Sequence, residues 1–192
     1  MQKIWQAAEY DVSVAEQLQK ELNIHPIFCQ LLAQRGITSF QEAEQFFRPK
    51  LTDLHDPFLM KGMEKAVTRI VQAIENQEKV LIYGDYDADG VTSVALLYSF
   101  LSPLIKSLDY YIPDRYKEGY GVSYEGIEFA YQNRFDLLIT VDCGITATAQ
   151  IKLAKHYDID CIICDHHLPE EILPNANAIL DTKQVDCEYP YK

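Results

Sequence analysis

Two hydrophobic periods divide the chain. Up to residue 78 the apolar positions recur at helical spacing: in "MEKAVTRIVQAIENQ" Met63, Ala66, Ile70 and Ile74 fall on one stripe of a helix. "SFQEAEQFF" opens with Ser39 and Glu42 three residues apart, the spacing of a reciprocal N-terminal cap, just after a helix-ending segment at Gly36. Pro26, Pro49 and Pro57 mark the boundaries between short helices. Residues 1–78 therefore read as a helical N-terminal region.

From residue 79 short apolar runs alternate with helical patterns. "KVLIYG", "SLDYYIP", "DLLITVD", "IDCIICD" and "NAIL" are strand candidates, and "VTSVALLYSFL", "YEGIEFAYQNR" and "TATAQIKLAKHY" are helices. This alternation predicts βαβ units, hence an α/β fold: a parallel β-sheet flanked by helices over residues 79–192. In such a sheet the carboxyl ends of the strands line one edge, and ligands bind there.

That edge collects the unusual chemistry. Asp85, Asp87 and Asp89 follow the first strand, Asp142 closes "DLLITVD", and Asp165, His166 and His167 follow "CIIC". So many carboxylates repel one another unless a cation sits among them. Oxygen ligands with an imidazole nitrogen suit Mn²⁺ or Mg²⁺ better than zinc. Several converging carboxylates imply more than one ion, as in two-metal phosphodiesterases with ions about 3.5–4 Å apart. Asp142, on the middle strand, is the natural bridge, and Asp165 is placed to orient His166.

A single aspartate after a strand is an ordinary turn or cap residue, and a His pair alone is an ordinary surface pair; acids and histidines at three strand ends together reverse that judgement. An EF-hand loop would need Glu at the twelfth position from Asp85, where Leu96 stands, and a helix rather than a strand before it. Phosphatases with an aspartate nucleophile place Thr or Val where Asp89 stands, and have no use for an Asp-His-His triplet. His25 and His55 are isolated.

Composition narrows the function classes. With 48% hydrophobic residues the chain is globular, and its net charge of −12 excludes a broad basic surface for coating nucleic acid, though not phosphate chemistry through metal ions. No stretch approaches the roughly 20 apolar residues of a membrane span. The opening "MQKIWQAAEYDVSVAEQ" lacks the apolar centre of a secretory leader, so a cytoplasmic protein is expected. Five irregularly spaced cysteines fit reduced thiols. Cys161 and Cys164, three apart on a strand, should face opposite sides and pack in the core rather than bind zinc.

"GDYDADGVTS", "TVDCGI" and "DHH" resemble the first three motifs of the DHH phosphoesterases, in order and at family-like spacing. The flanking "LLAQRGITSFQEAEQFFRP", "LHDPFLMKGMEKAVTRI" and "IPDRYKEGYG" resemble the family's single-stranded-DNA exonuclease branch. The resemblance implies 5′-to-3′ degradation of single-stranded DNA with two Mn²⁺ or Mg²⁺ ions, alongside repair and recombination proteins. It implies metal ligation by Asp87, Asp89 and Asp85, bridging by Asp142, and a further ligand in His166. His167 would act at the scissile phosphate, with Arg115 as a phosphate contact. Tyr83 stands where the pyrophosphatase branch carries a metal-binding His. The family's further metal-binding aspartate lies well downstream, and Asp181 and Asp186 follow the His pair too soon to match it. The resemblance thus implies an N-terminal fragment, inactive alone. A DHH phosphodiesterase for short RNA or cyclic dinucleotides is the alternative. A non-catalytic scaffold is a second alternative, against which the intact acid and His set speaks.

Overall fold

The computed structural model describes Ile4 and residues 6–191, which fall into two compact units, 1–54 and 55–192. The first holds α1 (Val12–Leu22), α2 (Pro26–Gln34) and α3 (Phe40–Phe47). Local chemistry sets their ends. Asp11 caps α1 by accepting from the Ser13 and Val14 N–H groups, and Asn23 closes it in the left-handed conformation. At α3 the expected reciprocal cap is present: Ser39 Oγ accepts from Glu42 N–H at 3.3 Å, and Glu42 Oε2 accepts from Ser39 N–H at 3.1 Å. Ala15, Leu18, Cys29, Leu32, Ile37 and Ala43 form a small core.

The second unit begins ahead of the sheet. Helix α4 (Met63–Glu75) carries the stripe read from the sequence, and Ala66, Ile70 and Ile74 pack on the sheet core. The helical residues read as one region, 1–78, are therefore shared between the two units. Five strands follow: β1 (Val80–Gly84), β2 (Leu108–Tyr111), β3 (Leu137–Val141), β4 (Asp160–Cys164) and β5 (Ala178–Leu180). Helices α5 (Ala88–Leu101), α6 (Tyr124–Gln132) and α7 (Thr148–His156) connect the first four.

All strand pairs are parallel, in the order β2-β1-β3-β4-β5. Alternate residues feed two cores. Leu81, Tyr83, Leu138, Cys161 and Ile163 meet Ile127, Ala130, Ile151 and Ala154 of α6 and α7. Val80, Ile82, Leu137, Ile139 and Ile162 meet α4 and α5 through Ala66, Ala73, Val94 and Leu101. With both faces covered, β1 and β3 are buried along their whole length, which explains why they read as unbroken apolar runs. Cys161 and Cys164 lie on opposite faces, as expected, and Cys29, Cys143, Cys161 and Cys164 are free thiols. Among the described residues no helix is long and apolar enough to cross a membrane.

The strand order positions the site. From β1 the chain crosses to β2 on one side, while β3 lies on the other, so the connections diverge between β1 and β3. A crevice opens there, beyond the carboxyl ends of these two strands. Asp85 follows β1 directly, and Asp142 follows β3 directly.

Candidate metal centre

Helix α5 starts three residues earlier than its apolar pattern predicts, because the aspartate motif itself makes the helix terminus. Asp87 is the N-cap: its Oδ1 accepts from the N–H groups of Asp89 and Gly90, both at 3.0 Å. These bonds, the Gly90 one foremost, hold the Asp87 carboxyl below the ordinary range. Gly90 is required by proximity, since a Cβ there would stand 2.4 Å from the Asp85 carbonyl oxygen. Asp89 lies in the first turn, exposed, and lines an open cleft of about 450 Å³ with Asp142 and His166.

Asp85 is placed differently from its two neighbours. It is fully buried, Oδ1 accepts from Tyr86 N–H at 2.6 Å, and Oδ2 accepts from Gly121 N–H at 3.1 Å. It ties the 114–123 loop to the end of β1, with its carboxylate enclosed rather than facing the cleft.

Asp142 sits on a strained turn. Its φ is +61°, a left-handed conformation uncommon outside glycine, and Gly144 follows at +112°. Thr140 Oγ1 holds the turn by donating to the Cys143 carbonyl at 2.8 Å, and a Cβ on Gly144 would stand 2.7 Å from that hydroxyl. Asp142 N–H donates to the Cys164 carbonyl at 2.9 Å, continuing the β3–β4 ladder by one residue. The side chain is 6% exposed; Oδ1 lies 3.0 Å from His166 Nε2, whereas Oδ2 is buried with no hydrogen-bond partner among the described residues. Burial first, then the neighbouring Asp87 carboxylate, raises the Asp142 pKa, and His166 opposes that rise.

The histidines divide. The His166 ring turns to Asp142, while His167 presents Nδ1 to Asp165 Oδ1 at 2.7 Å and Nε2 to the Tyr120 hydroxyl at 2.8 Å. Asp165, expected to orient His166, instead fixes the ring of His167 and the backbone of both. Its Oδ1 also accepts from the N–H groups of His166 at 2.7 Å and His167 at 3.1 Å, and Oδ2 accepts from Ile145 N–H at 2.9 Å. Burial alone would raise the Asp165 pKa; these donors outweigh it and hold the carboxyl below the ordinary range. The His167 ring is thus held at both nitrogens, by Asp165 on one side and Tyr120 on the other.

Tyr120, which sequence reasoning missed, reaches the site through its hydroxyl contact with His167. Burial and the surrounding Asp85, Asp142 and Asp165 push its hydroxyl up to about 12, so it remains a donor at neutral pH. Arg115 is exposed, its guanidinium carbon 5.3 Å from the centre of the Tyr86 ring. That ring in turn meets Tyr120 edge-on at 6.3 Å. The arrangement puts a guanidinium beside the aromatic rim of the crevice.

The donor set fits divalent cations. Ligand atoms of Asp142, His166 and His167 lie within 4.8 Å of one another. The unpartnered buried oxygen of Asp142, beside a second carboxylate, is the kind of group that an ion satisfies.

Residues 79–189 match the family model described as "DHH family, N-terminal domain". The chain belongs to the DHH family. Among its relatives, the single-stranded-DNA-specific exonuclease RecJ of Bacillus subtilis is 45% identical over 188 residues, covering 98% of this chain and 24% of that protein. RecJ of Escherichia coli is 36% identical over 168 residues, covering 87% and 28%. The DHH-family fold also appears in a crystal structure of exonuclease RecJ bound to manganese, with TM-score 0.63 and 31% identity, covering 69% of this chain and 34% of that one. RecJ from Thermus thermophilus, solved with Mn²⁺, shares the fold at TM-score 0.69 and 23% identity over 95% of this chain and 25% of that one. The chain spans about a quarter of the length of these curated relatives.

Proposed function

We propose that this DHH-family chain carries the metal-binding part of a 5′-to-3′ exonuclease that hydrolyses phosphodiester bonds of single-stranded DNA. The observation that carries the reading is the convergence of Asp87, Asp142 and His166 at the crevice between β1 and β3, with one buried Asp142 oxygen unpartnered. The likeness to RecJ over nearly the whole chain supports the substrate, and the manganese in a related structure supports the ion.

Asp87, Asp89, Asp142 and His166 would hold Mn²⁺ or Mg²⁺, with Asp142 at the junction. When bound, such ions supply a hydroxide nucleophile near neutral pH and offset charge on the phosphate. The protein's own groups do the rest. Asp85 and Asp165 act one step behind: the first anchors the 114–123 loop, the second fixes both histidines. His167, its ring held by Asp165, would donate from an Nε2–H to a phosphate oxygen in place of its contact with the Tyr120 hydroxyl. Arg115, exposed beside the Tyr86 ring, would contact a phosphate at the rim. Repair and recombination proteins as partners, and a cytoplasmic location, belong to the same reading. So does an assignment of residues 79–192 to the DHH domain.

The test compares Mn²⁺-dependent degradation of 5′-phosphorylated single-stranded DNA with that of short RNA and cyclic dinucleotides, using the full-length protein. Preference for DNA supports the proposal. Preference for a dinucleotide or short RNA moves the protein to the other DHH phosphodiesterase branch, and a wild-type rate from Asp142→Ala removes this site from catalysis.

A further inference from the structure

The residues after β5 form a built turn that the metal centre does not use directly. Asp181 follows the strand, fully buried, and its Oδ1 accepts from Lys183 N–H at 2.7 Å. The buried Gln184 donates through Nε2 to the carbonyls of Ile179 and Asp181, both at 3.1 Å. The backbone of Lys183 is thereby fixed from both sides. Its ammonium reaches back to donate to the carbonyl of His166. One residue earlier, Asp165 N–H donates to the Leu180 carbonyl at 3.0 Å, so β5 and its turn bracket the start of the Asp-His-His segment.

The placement needs a reason, because an ammonium beside a ligand of divalent cations weakens cation binding by Coulomb repulsion. Geometry supplies one. The His166 side chain is 62% exposed, so packing does not fix its ring. Beyond the ring's contacts with Asp142 and His167, the residue is held through its backbone, with the N–H bound by Asp165 Oδ1 and the carbonyl by Lys183. A ligand must be held within about 0.5 Å of its productive position to keep its affinity.

We infer that Lys183 is a positioning residue for His166, acting through the His166 carbonyl to keep the imidazole aimed at Asp142 and the cation beside it. The inference rests on the metal-centre reading above. It predicts the opposite of what charge alone would do: removing the ammonium weakens metal binding, although a repulsive charge has gone.

The experiment titrates Mn²⁺ into the full-length protein by calorimetry or electron paramagnetic resonance, for wild type, Lys183→Met, Lys183→Arg and Asp142→Ala. The expected result is Mn²⁺ binding about tenfold weaker in Lys183→Met. Recovery in Lys183→Arg and an unchanged thermal midpoint without metal should accompany it. DNA degradation by Lys183→Met should return towards the wild-type rate at saturating Mn²⁺. Unchanged or tighter binding in Lys183→Met overturns the inference. So does a fall in the metal-free midpoint that Lys183→Arg does not rescue, which would make the contact merely structural. Failure of the metal-centre reading looks different: wild type itself would not bind Mn²⁺, or Asp142→Ala would bind it as well as wild type.

Discussion

His166 Nε2 lies 3.0 Å from Asp142 Oδ1, while its sequence neighbour His167 turns its ring to Asp165 and Tyr120. The two imidazoles therefore have different work. His166→Ala should weaken Mn²⁺ binding by about tenfold or more, since it removes a ligand. His167→Ala should leave Mn²⁺ binding within about twofold and lower turnover by roughly 10²–10³, the loss seen when a group stabilising developing charge is removed. Metal titration paired with a DNA degradation assay separates the two; equal loss of metal binding in both variants would refute this division.

The buried oxygen of Asp142 makes the metal-free protein less stable than it could be. Asparagine tolerates the left-handed backbone at this position and carries no charge. Asp142→Asn should thus raise stability in EDTA by about 1 kcal/mol, the scale of a buried unsatisfied polar group, while abolishing the gain that Mn²⁺ gives wild type. Urea unfolding with and without Mn²⁺ measures both. A less stable metal-free variant would contradict the account.

Asp181 supplies a pH signature. Burial, with Asp165 adding to it, raises its pKa; the Lys183 N–H and ammonium and His166 only partly offset this. A carboxyl raised on folding binds its proton more tightly in the folded protein. Its contribution is therefore fully present below the unfolded pKa of about 3.9 and is lost as pH rises through the folded value. Relative to wild type, Asp181→Asn should gain in thermal midpoint as pH rises from about 4 towards neutral, with little difference at the acid end. Parallel midpoints across that range, in EDTA, would show that Asp181 does not titrate in this way.

Gly90 tests the close approach that shapes the first motif. A methyl group there would meet the Asp85 carbonyl at 2.4 Å and its nitrogen at 2.6 Å, backbone atoms that cannot rotate away. Gly90→Ala should destabilise the protein by about 1–3 kcal/mol through overpacking, and should weaken Mn²⁺ binding as the Asp87 cap shifts. Chemical denaturation and metal titration report the two effects. An alanine variant as stable as wild type would show that the α5 terminus can move off Asp85 freely.

Much of this protein was legible because its determinants are local. Strands β1 and β3 show as unbroken apolar runs since both sheet faces are covered there, and the cap at Ser39 and Glu42 needs only residues three apart. The acids at strand ends could be gathered on one edge because parallel strands all point the same way. The start of α5 was misjudged by three residues because Asp87 and Asp89 carry no apolar signal, although Asp87 is the cap that begins the helix.

Sequence alone thus determined the parallel α/β architecture, the family and the set of acids and histidines at the crevice. Tertiary structure decided which way each side chain turns: Asp85 into the protein beneath Gly121, Asp165 to His167, Tyr120 over that ring, and Lys183 back to the His166 carbonyl. The physical reason is range. Periodicity and capping act over a few neighbouring residues, whereas these bonds join loops 17 to 47 positions apart, or choose between adjacent imidazoles. Only the completed sheet brings such groups within hydrogen-bonding distance.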